Sequence, residues 1–279
     1  KSIIHFEIGQ PDFPTPAHIS EKGREAIRAG KTRYEPTLGA PGLRRAVGEY
    51  LERTRGIPFP KEGVAITPGA KTAIFTAMAA VLEEGDEVIY ADPGFPAYAD
   101  LIFFLGAVPR PFPLREERHF SVDVKELGRL LSPKTKLIIL NSPINPTGGV
   151  VAEEDLRGIA SLAKERNAWV LSDEIYSRIV YDGMAHAPSI ASIPDMHERT
   201  LLVDGFSKAY AMTGWRLGFL AFPPHLAPAV EKILVNTISC TATFTQEAGL
   251  AALLGSQKSV AQMVEEFEKH KHLLDAPPK

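Results

Sequence analysis

Four short segments carry the residue types able to do chemistry, and each stands where a strand-like run ends or just after it. They are Pro68-Gly69-Ala70-Lys71-Thr72, Asn141-Ser142-Pro143-Ile144-Asn145-Pro146-Thr147-Gly148, Ser172-Asp173-Glu174-Ile175-Tyr176, and Phe206-Ser207-Lys208-Ala209-Tyr210-Ala211-Met212-Thr213-Gly214-Trp215-Arg216. Together they supply a lysine amine, an acid with no evident partner, an arginine, a helix N-terminus and polar groups able to face a ring. A doubly wound sheet gathers such loops along one crevice at the carboxyl ends of its strands. That inventory is the one a pyridoxal phosphate site requires.

The elements that must position these segments follow from the hydrophobic pattern. Val64–Thr67 reads as a strand and Gly69–Glu84 as a helix, with Ile74, Met78, Val81 and Leu82 at core-facing spacing. Glu87–Asp92 is the next strand, Pro96–Leu105 a helix with proline in its first turn, Val108–Leu114 a strand, and a helix lies near Val124–Leu131. Lys136–Leu140 looks like a buried parallel strand, followed by a Pro/Gly loop and a helix over Glu153–Asn167. Ala168–Ser172, Thr200–Val203 and Leu217–Phe222 are further strands, and Leu226–Ile238 is another helix. Repeated strand–helix–strand units predict an α/β fold, a mostly parallel sheet sandwiched by helices. Residues 1–30, with the turn Pro11-Asp12-Phe13-Pro14-Thr15-Pro16 and a helix near Ile19–Ala29, read as an arm or part of a smaller domain. The main domain spans 31–259, and 260–279 begins a further domain with a helix over Val260–Lys271.

Composition and failed motifs narrow the classes. The chain has 279 residues, 44% of them hydrophobic, with 31 Lys+Arg against 34 Asp+Glu and a formal net charge of −3. That balance, with no basic run, leaves no electrostatic footprint for nucleic acid. A lone Cys240 excludes a disulfide framework and a Cys-rich metal site, and fits a reducing compartment such as the cytoplasm. The longest apolar stretch, Ala73 to Leu82, is far short of a membrane span, and no signal peptide is visible in the first ten residues. Gly30-Lys31-Thr32 has the tail of a P-loop, but Glu25 stands where that motif needs glycine. The histidines lack HExxH spacing, and no metal site is expected. Gly205-Phe206-Ser207-Lys208-Ala209 loosely matches a nucleophile elbow, for which Glu231 with His270 or His272 would have to complete a triad from helical patterns.

The order NPTG (Asn145–Gly148), DExY (Asp173–Tyr176) and SKxxxMTGWRxG (from Ser207) resembles the fold-type I, class I aminotransferases of the aspartate aminotransferase superfamily, from about Gly9 to Phe267. The resemblance implies pyridoxal 5'-phosphate as cofactor and gives each residue a role. Lys208 resembles the lysine that forms a Schiff base with the cofactor aldehyde and, once freed, shuttles the proton between substrate Cα and C4′. Asp173 resembles the acid that pairs with the pyridine nitrogen and keeps it protonated. Tyr176 and Asn145 resemble the donors to the phenolic oxygen, and Asn145–Pro146 is a bond commonly cis in the family. Arg216 resembles the phosphate arginine, with the backbone of Gly69, Ala70 and Lys71 at a helix start and the hydroxyl of Ser207 completing that subsite. Phe95 occupies the position of the aromatic that stacks on the ring. Tyr34 resembles the tyrosine that reaches the phosphate of a neighbouring subunit, which implies a homodimer with a shared site. Gly9, in Ile8-Gly9-Gln10-Pro11-Asp12-Phe13, matches the mobile segment that closes over the substrate, and Asn145 also faces the substrate.

The implied reaction is ping-pong exchange of an amino group between an amino acid and a 2-oxo acid through pyridoxamine phosphate. The family clamps the substrate α-carboxylate with an arginine from a C-terminal small domain, yet nothing after Arg216 is arginine. The chain is therefore expected to be a piece of a longer enzyme, the alternative being a truncated protein that holds the cofactor yet binds amino acids poorly, and its amino-acid preference is not legible. Two rivals remain. A pyridoxal phosphate-dependent C–S lyase would use the same ring and lysine, and a cofactor-sensing domain of a transcription regulator would share the fold.

Overall fold

The computed structural model describes Ile3 and residues 9–275. Ile8 of the Gly9 segment lies outside the described residues, as do 1–2, 4–7 and 276–279 of the two terminal regions. The chain runs α1 (Ala17–Arg28), α2 (Pro41–Arg55), β1 (Val64–Thr67), α3 (Ala70–Val81), β2 (Glu87–Asp92), α4 (Ala97–Phe104), β3 (Val108–Pro113), α5 (Val124–Leu130) and β4 (Thr135–Asn141). It continues with α6 (Glu153–Glu165), β5 (Trp169–Asp173), β6 (Thr200–Gly205), β7 (Gly218–Ala221), α7 (Ala227–Thr237), α8 (Thr243–Leu254) and α9 (Lys258–Asp275).

The strands form one sheet in the order β1-β7-β6-β5-β4-β2-β3. From β6 to β3 every pairing is parallel, as the apolar runs predict, and only β7 lies antiparallel to its neighbours β6 and β1. Register settles where the chemistry collects. Asn141 pairs with Asp173 and Asp173 with Val203, while Gly205 pairs with Gly218 and Gly218 with Thr67. The carboxyl ends of β1, β4, β5 and β6 therefore share one edge of the sheet, and all four chemical segments leave from it.

Alternate residues on each strand sort to opposite faces. Leu137, Ile139, Leu171, Leu201, Val203 and Leu220 pack against Ile74 and Met78 of α3 and Val230 and Leu234 of α7. On the other face, Ile138, Leu140 and Val170 meet Leu156, Ile159 and Ala163 of α6, and Leu202 and Phe219 meet Val47, Tyr50 and Leu51 of α2. Coverage of both faces explains why the central strands read as unbroken apolar runs rather than alternating ones.

Two helices exceed what the sequence reading anticipates. Helix α2 opens with Pro41-Gly42, a pair that reads as a turn; here the proline sits in the first turn, where its missing N–H costs nothing. Helix α8 is apolar nearly all round, so it shows no stripe to read, and it is buried between α1, α2 and the sheet through Ala248, Ala252 and Leu253. The N-terminal segment is tied to the lysine loop: Thr15 Oγ1 donates to the carbonyl of Ala211 (2.7 Å) and accepts from Trp215 Nε1 (3.0 Å). Gly23 of α1 lies under the Trp215 ring, where a Cβ would stand 2.6 Å from the indole. Among the described residues no helix is long and apolar enough to cross a membrane.

Candidate active site

The shared edge opens into a cleft of about 890 Å³ lined by Gly9, Ala70, Lys71, Phe95, Asn145, Asp173, Tyr176, Ser207, Lys208 and Arg216. Every proposed pocket residue is thereby in the lining except Gly69, which precedes the lining residue Ala70 at the start of α3, and Tyr34. Tyr34 is 89% exposed and lies outside the cleft of its own chain. Glu231, His270 and His272 belong to α7 and α9 and line no part of the cleft, so the nucleophile-elbow arrangement is not assembled.

Asp173 ends β5 and is 4% exposed. The sequence reading leaves this acid without a partner, and the structure corrects that. The hydroxyl of Tyr98, on α4, donates to Asp173 Oδ2 at 2.7 Å, and the backbone N–H of Ile175 donates to Oδ1 at 3.2 Å. Burial pushes the Asp173 carboxyl up to about 6, although both of these hydrogen bonds pull it down; nearby Glu174 raises it further. No lysine, arginine or histidine among the described residues pairs with it. A buried carboxylate without a cation is costly unless a ligand supplies one.

Lys208 follows β6 on the sharp loop to β7. Its amine donates to the carbonyl of Gly9 and lies 5.4 Å from the centre of the Tyr176 ring. Burial, and then the nearby Arg216 charge, hold Lys208 below its ordinary value, which favours the free amine. Tyr176 moves the other way: burial and the Asp173 carboxylate raise it, so its hydroxyl stays protonated and able to donate at neutral pH. Phe95 stands edge-on to Tyr98, with ring centres 5.5 Å apart, and the Lys71 ammonium lies 5.5 Å from its ring centre. The Asn145 loop is pinned at its base, because Asn145 N–H donates to Asn141 Oδ1 (2.7 Å) while Asn141 Nδ2 donates to the carbonyl of Asp173 (3.0 Å). The bonds preceding Pro93, Pro143 and Pro146 are cis.

The end of the cleft at the start of α3 is built from backbone. Gly69 precedes α3 with φ 86°, and no side chain caps that helix start. The first N–H groups of a helix have no acceptor within it, and its positive dipole end favours an anion. A Cβ on Gly69 would collide with the guanidinium of Arg216, and one on Gly218 would stand 2.7 Å from the Ala70 nitrogen. Glycine at both places lets backbone, helix start and arginine converge on one spot. Arg216 itself is held at φ 53°, with Nη1 donating to the Thr213 carbonyl at 2.9 Å. A dianion-binding cradle at one end, a buried acid in want of a cation, an aromatic wall and an amine together fit pyridoxal phosphate. Sequence reasoning missed Tyr98, Asn141, Gln10 and Thr213 in this lining. Asn141 and Thr213 stand inside the segments singled out for chemistry yet draw no role from their type alone, and nothing local gives the Tyr98 hydroxyl its partner.

A family model described as aminotransferase class I and II matches residues 1–276. An aspartate aminotransferase of Pyrococcus abyssi is 40% identical over 277 residues, covering 98% of this chain and 71% of that protein. Aromatic-amino-acid aminotransferase 2 of Thermococcus litoralis is also 40% identical, over the same shares of the two chains. Among solved structures, an aromatic aminotransferase from Pyrococcus horikoshii OT3 superposes with a TM-score of 0.92 at 39% identity, covering 95% of this chain and 72% of that one. A Thermus thermophilus aspartate aminotransferase with maleate gives a TM-score of 0.88 at 37% identity, covering 93% and 66%.

Proposed function

The chain belongs to the class I and II aminotransferases and is a transferase of amino groups; we propose that it works on amino acids and 2-oxo acids with pyridoxal phosphate held in the cleft described above. Neither the lyase nor the regulator reading draws support from its relatives, which carry aminotransferase names. The observation that carries the cofactor reading is the buried, cation-free Asp173 in the same cleft as the Lys208 amine.

The cofactor, when bound, supplies a carbonyl that condenses with amines and a ring that accepts the electron pair left on Cα. The protein's residues do the rest. Arg216 and the N–H groups of Gly69, Ala70 and Lys71 would hold the phosphate, with the Ser207 hydroxyl beside them. Asp173, kept in place by Tyr98, would hold a proton on the ring nitrogen, and Phe95 would cover one ring face. Tyr176 and Asn145 would donate to the phenolic oxygen. Lys208 would take the proton from substrate Cα and return it at C4′, a role that suits an amine held below its usual pKa. Its contact with the Gly9 carbonyl puts the N-terminal segment over the reacting end of the cleft.

The test is direct. Protein mixed with pyridoxal phosphate should gain a visible band, and borohydride should fix the cofactor on Lys208, located by peptide mass spectrometry. No band, or a label elsewhere, sinks the reading.

The site is proposed to be shared within a homodimer, because Tyr34 is exposed and outside the lining of its own cleft while the family resemblance gives it a phosphate. Sedimentation equilibrium should return twice the chain mass, and Tyr34→Phe should loosen the cofactor without changing that mass. A monomer that holds the cofactor as tightly as the wild type would rule out the shared site. The partly exposed thiol of Cys240 fits a reducing environment, and the cytoplasm is the proposed location.

A further inference from the structure

Behind the cleft, and not part of its lining, one arginine is fully enclosed. Arg55 is the last residue of α2, its side chain only 1% exposed. Its Nε donates to Glu174 Oε2 at 2.9 Å, and its Nη2 to Asp204 Oδ2 and to Ser177 Oγ, each at 2.6 Å. Its Nη1 donates to Thr54 Oγ1 at 2.8 Å, and the Tyr50 ring lies 5.1 Å from the guanidinium carbon. The two carboxylates are otherwise satisfied: Glu174 Oε1 accepts from the hydroxyls of Ser172 and Ser189, and Asp204 Oδ1 from the N–H of Gly205 (2.6 Å).

The placement of these carboxylates is the informative part. Glu174 follows Asp173 immediately, where β5 ends. Asp204 lies near the end of β6, one turn of chain before Lys208. One guanidinium thus bridges the two strand ends that carry the proposed ring-nitrogen acid and the proposed lysine. A cluster of this kind is a poor way to gain stability, because three ions give up their hydration and a well-packed apolar filling would serve as well. What apolar side chains lack is directional grip. Arginine has it, since its planar fork fixes two acceptors at a set separation and angle, which a lysine ammonium does not.

We propose that Arg55 is a positioning residue for the cofactor site, its fork setting the separation between the Asp173 carboxylate and the Lys208 amine by gripping Glu174 and Asp204 together. The inference rests on the cofactor reading above. A misplacement of about 1 Å at a reacting centre can cost about 100-fold in rate, so a loosened clamp has a large lever.

The full-length protein loaded with pyridoxal phosphate is the material for the test, and Arg55→Lys, which keeps the charge and loses the fork, is the variant. Two readouts separate positioning from plain structural support: kcat against KM, and the pH at which the visible band changes form, which senses the charges around Lys208. The expected result is a folded variant whose kcat is at least about tenfold lower with KM little changed, and whose spectral midpoint moves by about half a pH unit or more. A folded variant with a lower melting temperature but wild-type kcat and midpoint would overturn the proposal. If Arg55→Lys does not fold, Asp204→Asn takes its place, and the same changes in kcat and midpoint are expected of it. Asparagine keeps the shape of Asp204 and one oxygen to accept from Arg55 or from the Gly205 N–H, but it loses the charge and the second acceptor, which loosens the clamp without emptying the space. A wild-type protein that takes no cofactor would overturn the underlying reading. A wild type that takes it beside variants with unaltered kcat and midpoint overturns this inference alone.

Discussion

Replacing Lys208 by alanine should lower kcat by at least about 10⁴-fold while leaving cofactor affinity within about tenfold of the wild type, because positioned general acid–base groups contribute about 10²–10⁴ and the nucleophilic amine is lost as well. The asymmetry between rate and affinity is the informative part. The proposed phosphate cradle of Gly69, Ala70, Lys71 and Arg216, and the acid Asp173, do not depend on the lysine for their geometry. Nor should the fold suffer: the Lys208 amine touches the Gly9 carbonyl and the face of Tyr176, and the side chain is only partly buried. A half-buried amine that forms no ion pair among the described residues contributes little to stability. Single-turnover kinetics with an amino acid, alongside a cofactor titration of the same preparation, check both halves. A variant that keeps more than about 1% of wild-type kcat would remove Lys208 from the role of proton shuttle, since that loss is smaller than the general acid–base effect requires.

That Lys208, Asp173, Asn145, Tyr176 and Arg216 would gather in one cleft could be read from the sequence because loops at the edge of a parallel sheet follow directly after apolar runs, and both the runs and the loops have local signatures. The fold was legible for the same reason, with helix α3 and strands β2, β4 and β6 announced by their own hydrophobic patterns. What escaped was what only tertiary contact creates. Tyr98 reads as a core aromatic, and its hydroxyl acquires meaning only when α4 is laid beside the end of β5. Arg55 ends an amphipathic helix, where a charged residue is ordinarily a solvated one, and nothing local says that the fold will enclose it. The reversed direction of β7 likewise leaves no local trace, since an apolar strand buried on both faces reads alike in either sense. Helix α2 was hidden by Pro41-Gly42 and by Gly48, whose missing Cβ admits the carbonyl of Phe59. Each of these misses lies in the support of the site rather than in its chemistry.

Asp173→Asn should lower kcat by about 10²–10³-fold, or roughly 3–4 kcal/mol, within the roughly 3–5 kcal/mol at stake when one partner of a buried ion pair is lost. Asparagine keeps the shape and an acceptor for Tyr98 but offers no charge to hold a proton on a ring nitrogen. The same substitution should stabilise the cofactor-free protein, and the sign can be worked out. Folding raises the Asp173 carboxyl from 3.8 to about 6, so between those values the folded chain binds more protons than the unfolded one. Stability contributed by this group is therefore present below about pH 4 and is lost as pH rises through 6. Above pH 6 the ionised, cation-free carboxylate is a standing cost, on the order of 3 kcal/mol at most for a shift of about two units. Thermal melts of the cofactor-free wild type and Asp173→Asn should nearly coincide at pH 4 and diverge in favour of the variant by pH 7. Loading the cofactor should reverse the order, since its ring nitrogen gives the carboxylate the cation it lacks and leaves the amide with none. Wild-type cofactor affinity should accordingly fall as pH drops through about 6, and the variant should lose that dependence. If the variant is no more stable than the wild type when empty, or no weaker when loaded, Asp173 does not serve as the partner of a bound cation. The residue that makes the empty fold less stable is, on this account, the one that makes the loaded site work.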